Sequence, residues 1–195
     1  MSEQVVTRAI TLWPEWAFAI THLSKRVENR TWDPPAGVVG TRIAIHAGAH
    51  VGGRKATRAT IEGGEAMQET AEAAGWEIGW GTQDSLCVDF RRQGTKGQRT
   101  QKLTTGAVVA TAIVHSVRDA DTSVLAGAEH DWDVGPRCWV LRRVRWLIYP
   151  VPMKGAQGLW HLGSSAVEKV NEARSILMPD YLDGLPSLPD RKSPT

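Results

Sequence analysis

The 195-residue chain carries 23 Lys and Arg against 21 Asp and Glu, and a formal charge of +2 is too small to announce a nucleic-acid binder by itself. Its length suits one domain with a real core, and no apolar run nears the roughly twenty residues that span a bilayer, which argues against a membrane-spanning helix. Cys87 and Cys138 are too few for a disulfide scaffold, and Met-Ser-Glu-Gln at the start lacks a secretory pattern, so a cytoplasmic protein with reduced thiols is expected.

Strands are predicted near residues 4–10, 38–46, 84–91, 106–117, 137–149 and 157–162, each rich in Val, Ile, Leu, Thr or Trp and bounded by Gly or Pro. A helix is predicted over 14–23: Pro14 suits the first turn, Glu15 favours the helix dipole, and Trp16, Ile20 and Leu23 form an apolar stripe. A second runs from Thr57 to Ala74 with Gly75 as its stop, and a third over Ser165–Leu177 places Val167, Val170, Ala173 and Leu177 on one face. One further helical turn is expected at Asp119–Leu125, and the proline-rich end at 183–195 reads as a disordered tail.

The chemistry concentrates where the first helix runs into Lys25-Arg-Val-Glu-Asn-Arg-Thr-Trp32. In an extended segment Glu28 and Arg30 share a face, and Lys25 joins them if the helix end bends the chain. Read as a binding cleft, Lys25, Arg26 and Arg30 donate to phosphate or a base carbonyl and Glu28 accepts from a base N–H. Read as scaffold, the charges form an ion-pair network that anchors the turn. On the functional reading Lys25 is solvated, whereas on the scaffold reading Arg30 is buried against a carboxylate. Trp13, Trp16 and Trp32 flank this turn, where an indole can stack on a base for about 1–3 kcal/mol, whereas Trp139, Trp146 and Trp160 lie in strand-like runs and read as core. Between Leu86 and Thr104, Arg91, Arg92, Lys96, Arg99 and Lys102 face only Asp89, which suggests a mobile basic loop able to meet phosphates; a solvated surface is the plainer reading. Arg54, Lys55 and Arg58 before it, and Arg137, Arg142, Arg143 and Arg145 after it, add further basic segments.

The helix-to-charged-turn segment, followed by Gly40-Thr-Arg-Ile-Ala-Ile-His-Ala-Gly48, resembles the ASCH (activating signal cointegrator homology) family of the PUA-like superfamily. Gly106-Ala-Val-Val-Ala-Thr-Ala-Ile-Val-His-Ser-Val117 is similar to that family's central strand, and Trp139-Val-Leu with Pro150-Val-Pro-Met-Lys-Gly-Ala-Gln-Gly-Leu-Trp-His-Leu162 to its closing strand and turn. The resemblance implies an α+β fold, a PUA-like mixed β-barrel of about six strands with peripheral helices. It covers roughly residues 5–162, so the domain is taken as 1–162 with an insertion at about 51–105, leaving a C-terminal helix over 163–182 and the tail.

Together with the charged turn, the indoles and the basic stretch, it points to a nucleic-acid ligand, RNA or single-stranded DNA, with Trp13, Trp16, Lys25, Arg26, Glu28, Arg30, Trp32, His46, Arg91, Arg92, Lys96 and Lys154 as candidate contacts. Two alternatives stand beside it, a hydrolase and a protein-binding adaptor. Small bacterial members that hydrolyse acetylated cytidine carry a threonine three residues after the lysine; Glu28 stands there, so a threonine nucleophile does not carry over. A ribonuclease would draw on Lys25, Glu28 and His46 as cation and acid–base groups, with no confident catalytic residue.

No cofactor or metal is expected. His46 and His50 sit four apart at a strand end beside Gly48, without the helical geometry of a zinc pair. Glu129-His-Asp-Trp-Asp133 lacks the glycine turn and closing glutamate of a calcium loop and reads as a polar surface loop. Gly52-Gly-Arg-Lys-Ala-Thr lacks phosphate-loop spacing, which gives no support for ATP use.

Overall fold

A computed structural model describes residues 4–49, 58–80, 87–120, 132, 133 and 135–178, with backbone alone for 58–64. In chain order the elements are β1 (Arg8–Leu12), α1 (Pro14–His22), β2 (Val27–Arg30), β3 (Arg42–Ala47), α2 (Arg58–Ala73), β4 (Trp76–Trp80), β5 (Cys87–Arg92), β6 (Arg99–Lys102), β7 (Ala107–Asp119), β8 (Arg137–Pro152), β9 (Leu159–His161), α3 (Ser164–Glu172) and β10 (Ser175–Leu177). Among the described residues no helix is long and apolar enough to cross a membrane.

Seven strands make one mixed, curled sheet in the order β10-β8-β7-β3-β1-β9, with β2 added alongside β8. Among the described residues β1 and β3 run parallel, Thr11 opposite His46, and the other pairs of this sheet are antiparallel. The long β8 serves two neighbours on its outer side: its start pairs with β2, and Arg145–Leu147 pair with β10. The α+β class and mixed half-barrel agree with the expectation.

The insertion is a structured unit. Helix α2 ends at Ala73, Gly75 just beyond it takes the φ of 81° expected of a glycine stop, and the chain turns into a separate β4-β5-β6 sheet. The loop expected between Leu86 and Thr104 is therefore corrected: most of it is a hairpin in which Cys87 faces Lys102 and Phe90 faces Arg99. Val88 and Phe90 give β5 a buried face, and this holds the polar β6 beside it.

The C-terminal helix is corrected as well. It stops at Glu172, Ala173 is extended, and Ser175–Leu177 bond the β8 edge with Ile176 opposite Trp146. That edge would otherwise leave backbone groups without partners, and satisfying them outweighs another helical turn. The expected turn at Asp119–Leu125 lies mostly outside the described residues, as do the tail at 183–195, Arg54, Lys55 and His50.

Helix α1 sits between the two sheets. Ala17 and Ile20 pack with Ile10, Ile45, Trp139 and Trp146 of the main sheet, whereas Phe18, Ala19 and Leu23 pack with Met67, Trp76, Val88 and Phe90 of the insertion. On the opposite face of the main sheet, Val170 of α3 covers Ala44, Val108 and Leu147.

Candidate functional site

The charged turn is made by the way α1 ends. Leu23 N–H and Lys25 N–H both return to Ala19 O, at 3.0 and 3.1 Å, with Ser24 between them at φ 61°. This left-handed step sends the chain into β2 and folds the Lys25 side chain back inside. Lys25 is 1% exposed: its Nζ donates to Val27 O, lies 3.6 Å from Glu28 Oε2, and sits 5.4 Å from the centre of the Trp16 ring. Burial lowers its pKa, and the Glu28 charge opposes that shift.

Glu28 continues the chain of contacts. Its Oε1 is 3.0 Å from Arg30 Nε, Arg30 Nη2 donates to Thr11 O at 3.0 Å, and the guanidinium lies 6.0 Å from the Trp32 ring. One buried carboxylate thus bridges two cations, each set over an indole. The shared face of Glu28 and Arg30 is as expected. The burial order is reversed: Lys25 is the enclosed member and Arg30, at 21% side-chain exposure, the one nearer water. The lysine lies inward because α1 and β2 close over its stem and Trp16 covers its ammonium.

Arg26 is also enclosed. Its Nη1 donates to Ile20 O at 3.0 Å and to Lys25 O at 2.9 Å, so it caps carbonyls near the end of α1 and is 1% exposed. The expectation of Arg26 as a ligand contact is accordingly corrected to a supporting role. Of the three indoles flanking the turn, Trp13, half-exposed at the N-cap of α1, is the one open to solvent; Trp16 and Trp32 are half-buried and pack on the core. Trp139 and Trp146 are buried as expected of core residues.

Through Thr11 the turn connects to His46. Thr11 Oγ1 accepts from Trp160 Nε1 at 3.1 Å, and the Trp160 ring meets His46 edge-on at 5.8 Å. His46 Nε2 lies 3.0 Å from Met153 O, which can only accept, so Nε2 carries the proton. Burial lowers the His46 pKa, giving a neutral ring whose buried Nδ1 has no hydrogen-bond partner among the described residues. Gly155 closes against it: a Cβ there would stand 2.5 Å from His46 Cε1 and 2.8 Å from Thr11 Oγ1, so only glycine fits. Lys154, next to this contact, is exposed.

Glu15, Thr11 and Trp132 are the important residues that sequence reasoning missed. Glu15 is buried at the start of α1 with Oε2 unpartnered among the described residues, and burial raises its pKa against a smaller opposing effect from its own backbone N–H. Trp132 and Asp133 correct the expected polar loop. Trp132 is 1% exposed and meets Trp16 edge-on at 6.5 Å, its carbonyl takes a 2.9 Å bond from Asn29, and Asp133 pairs with Arg118 at 2.8 Å.

Comparison with solved structures finds ASCH proteins of Zymomonas mobilis. ASCH from Zymomonas mobilis is 17% identical with a TM-score of 0.43, over 86% of this chain and 95% of that one. A mutant of the same protein is 18% identical with a TM-score of 0.42, over 86% and 98%. Its structural neighbours are ASCH domain proteins. No protein-family model matches the chain, and no curated protein matches it.

The basic residues of the insertion stand apart from the turn, on the second sheet. Arg91 pairs with Glu77 through Nε at 2.6 Å, and Arg92 lies 5.5 Å over the Trp76 ring, so both are engaged within the insertion; Lys96 lies exposed in the β5–β6 connection. The structure therefore joins Trp16, Lys25, Glu28, Arg30 and Trp32 directly and reaches His46 through Thr11. It does not bring Arg91 and Arg92 to them by any such contact among the described residues. No group of three or more His, Cys, Asp or Glu among those residues could hold a metal.

Proposed function

We propose that the chain is a binding module for single-stranded nucleic acid, RNA or DNA, which takes a splayed base against the indoles and guanidinium at the α1–β2 turn. The observation that carries this reading is the Glu28 bridge, which fixes two cation–indole pairs in place. Bases stack on flat aromatic and guanidinium faces with little regard to sequence, and a cation fixed beforehand loses less freedom when a ligand arrives. Trp13 supplies an open face two residues beyond Thr11, the residue whose carbonyl holds Arg30. In this reading Lys25 and Glu28 act from beneath, by orienting Trp16 and Arg30, and Trp13, Arg30 and Trp32 meet the ligand.

The test is titration with a fluorescently labelled single-stranded oligonucleotide at several salt concentrations, RNA and DNA in parallel. Binding that quenches tryptophan emission and weakens steeply with salt supports the module. Absence of binding at low salt, or affinity indifferent to salt, would exclude it and leave the adaptor reading.

A further inference from the structure

Arg42 opens β3 at the end opposite His46, and it is 6% exposed. Its Nη1 donates to Thr111 Oγ1 at 3.1 Å and to Arg143 O at 3.0 Å, which uses both hydrogens of that nitrogen. Among the described residues no carboxylate pairs with this guanidinium; the charge acting on it is the like charge of Arg143. Lys25, comparably buried, has Glu28 beside it. A buried cation held next to another cation is costly, and the usual compensation is an anion.

The backbone is bent to make this arrangement. Between Ile113, opposite Arg142, and Thr111, opposite Arg145, the β7–β8 register shifts, and Arg143 takes φ 50°, a conformation uncommon for a residue with a side chain. The resulting bulge places the Arg143 carbonyl on Arg42 while its own side chain is exposed. Backbone irregularities of this kind, kept in mid-strand, are typical of sites that position a group for use.

We propose that Arg42 and Arg143 form a binding site for a phosphate group, separate from the α1–β2 turn. With Nη1 saturated, the Nε and Nη2 hydrogens of Arg42 present the edge that grips two oxygens of an oxyanion side by side. Thr111 and the Arg143 carbonyl hold that edge in place before a ligand arrives. The second cation favours the more highly charged phosphate over a carboxylate. The phosphate can be free, as inorganic phosphate or a monoester, or belong to a nucleic-acid backbone; the site stands or fails independently of base stacking at the turn.

The experiment follows the arginine Nε–H resonances by NMR while inorganic phosphate is titrated into the full chain, against sodium chloride of equal ionic strength. One arginine signal should shift saturably with phosphate and not with chloride. Arg42→Lys keeps a charge but loses the paired donors, so affinity should fall roughly tenfold or more. Arg143→Gly suits the positive φ and removes the second cation; it should keep the melting temperature and weaken phosphate severalfold, which leaves the test intact if Arg42→Lys does not fold. A single-stranded oligonucleotide weakened by Arg143→Gly would assign the site to a backbone phosphate, and one unaffected while phosphate binding falls would assign it to a free phosphate. No saturable shift, or equal phosphate affinity in the wild type and in Arg143→Gly, would overturn the proposal.

Discussion

The Lys25 ammonium lies 3.6 Å from the Glu28 carboxylate at a point where the lysine is 1% exposed, so each charge depends on the other for its place in the fold. Removing one member leaves a buried charge with one partner fewer, a change that costs about 3–5 kcal/mol in comparable sites. Lys25→Met should lower stability on that scale in urea unfolding. The double variant Lys25→Met, Glu28→Gln should recover part of the loss. A single variant as stable as the wild type would mean that the pair holds nothing together.

Trp13 is the complementary case, since it is half-exposed and caps α1 without a side-chain hydrogen bond. Trp13→Ala should change stability by no more than about 0.5 kcal/mol, as for other surface sites. If one base stacks on it, oligonucleotide affinity should drop by about 1–3 kcal/mol. Equal affinity for the two proteins would remove Trp13 from the interface.

His46 gives stability an acid limb. Its folded pKa lies below the ordinary 6.5 because burial disfavours the charged ring. Above pH 6.5 both folded and unfolded chains hold it neutral, and its contribution is complete. As the pH falls below 6.5 the unfolded chain takes up the proton first, so stability declines until the folded value is passed. Melting temperature should therefore fall over this range in the wild type. His46→Gln should start lower at pH 7.5 and fall less steeply.

Glu15 works in the opposite sense. Burial raises its folded pKa above the ordinary 4.5, so between those two values the folded chain holds the proton more tightly than the unfolded one. Stability from this group is greatest below pH 4.5 and is lost as the pH rises through the folded value. Glu15→Gln should melt at a higher temperature than the wild type at pH 7, with the difference closing toward pH 4. A variant that melts lower at pH 7 would show that attraction to the α1 N-terminus outweighs desolvation.

Glu28 also bears on the hydrolase alternative. A carboxylate engaged by Lys25 and Arg30 stands where an acetylated-cytidine hydrolase would need a hydroxyl. Purified protein should release no cytidine from acetylated cytidine in a chromatographic assay. Turnover abolished by Lys25→Ala in a variant shown to remain folded would restore catalysis as the primary function.

Local signals made much of the fold legible. Pro14 opens α1, Gly75 ends α2, and the two-residue period put Glu28 and Arg30 on one face. What stayed hidden depends on partners distant in sequence. Lys25 reads as a solvated lysine until Trp16 and Glu28 enclose it, and Trp132 is masked by its acidic neighbours until it meets Trp16. Strands β6 and β10 are short, β6 wholly polar, and they exist because neighbouring edges need hydrogen bonds. That Arg42 meets no carboxylate among the described residues could not be foreseen from Thr-Arg-Ile.

A nine-residue helix with apolar contacts on two sides has no solvent face on which to rest if either sheet lets go. Phe18 and Leu23 would be bared by loss of the insertion, Ala17 and Ile20 by loss of the main sheet. The segment that delivers Lys25 to Glu28 thus acts as a shared keystone, and its amides should exchange with solvent only through whole-chain opening. Shortening the insertion by removing α2 and its hairpin would then disarm the charged turn from a distance, without altering a residue within it.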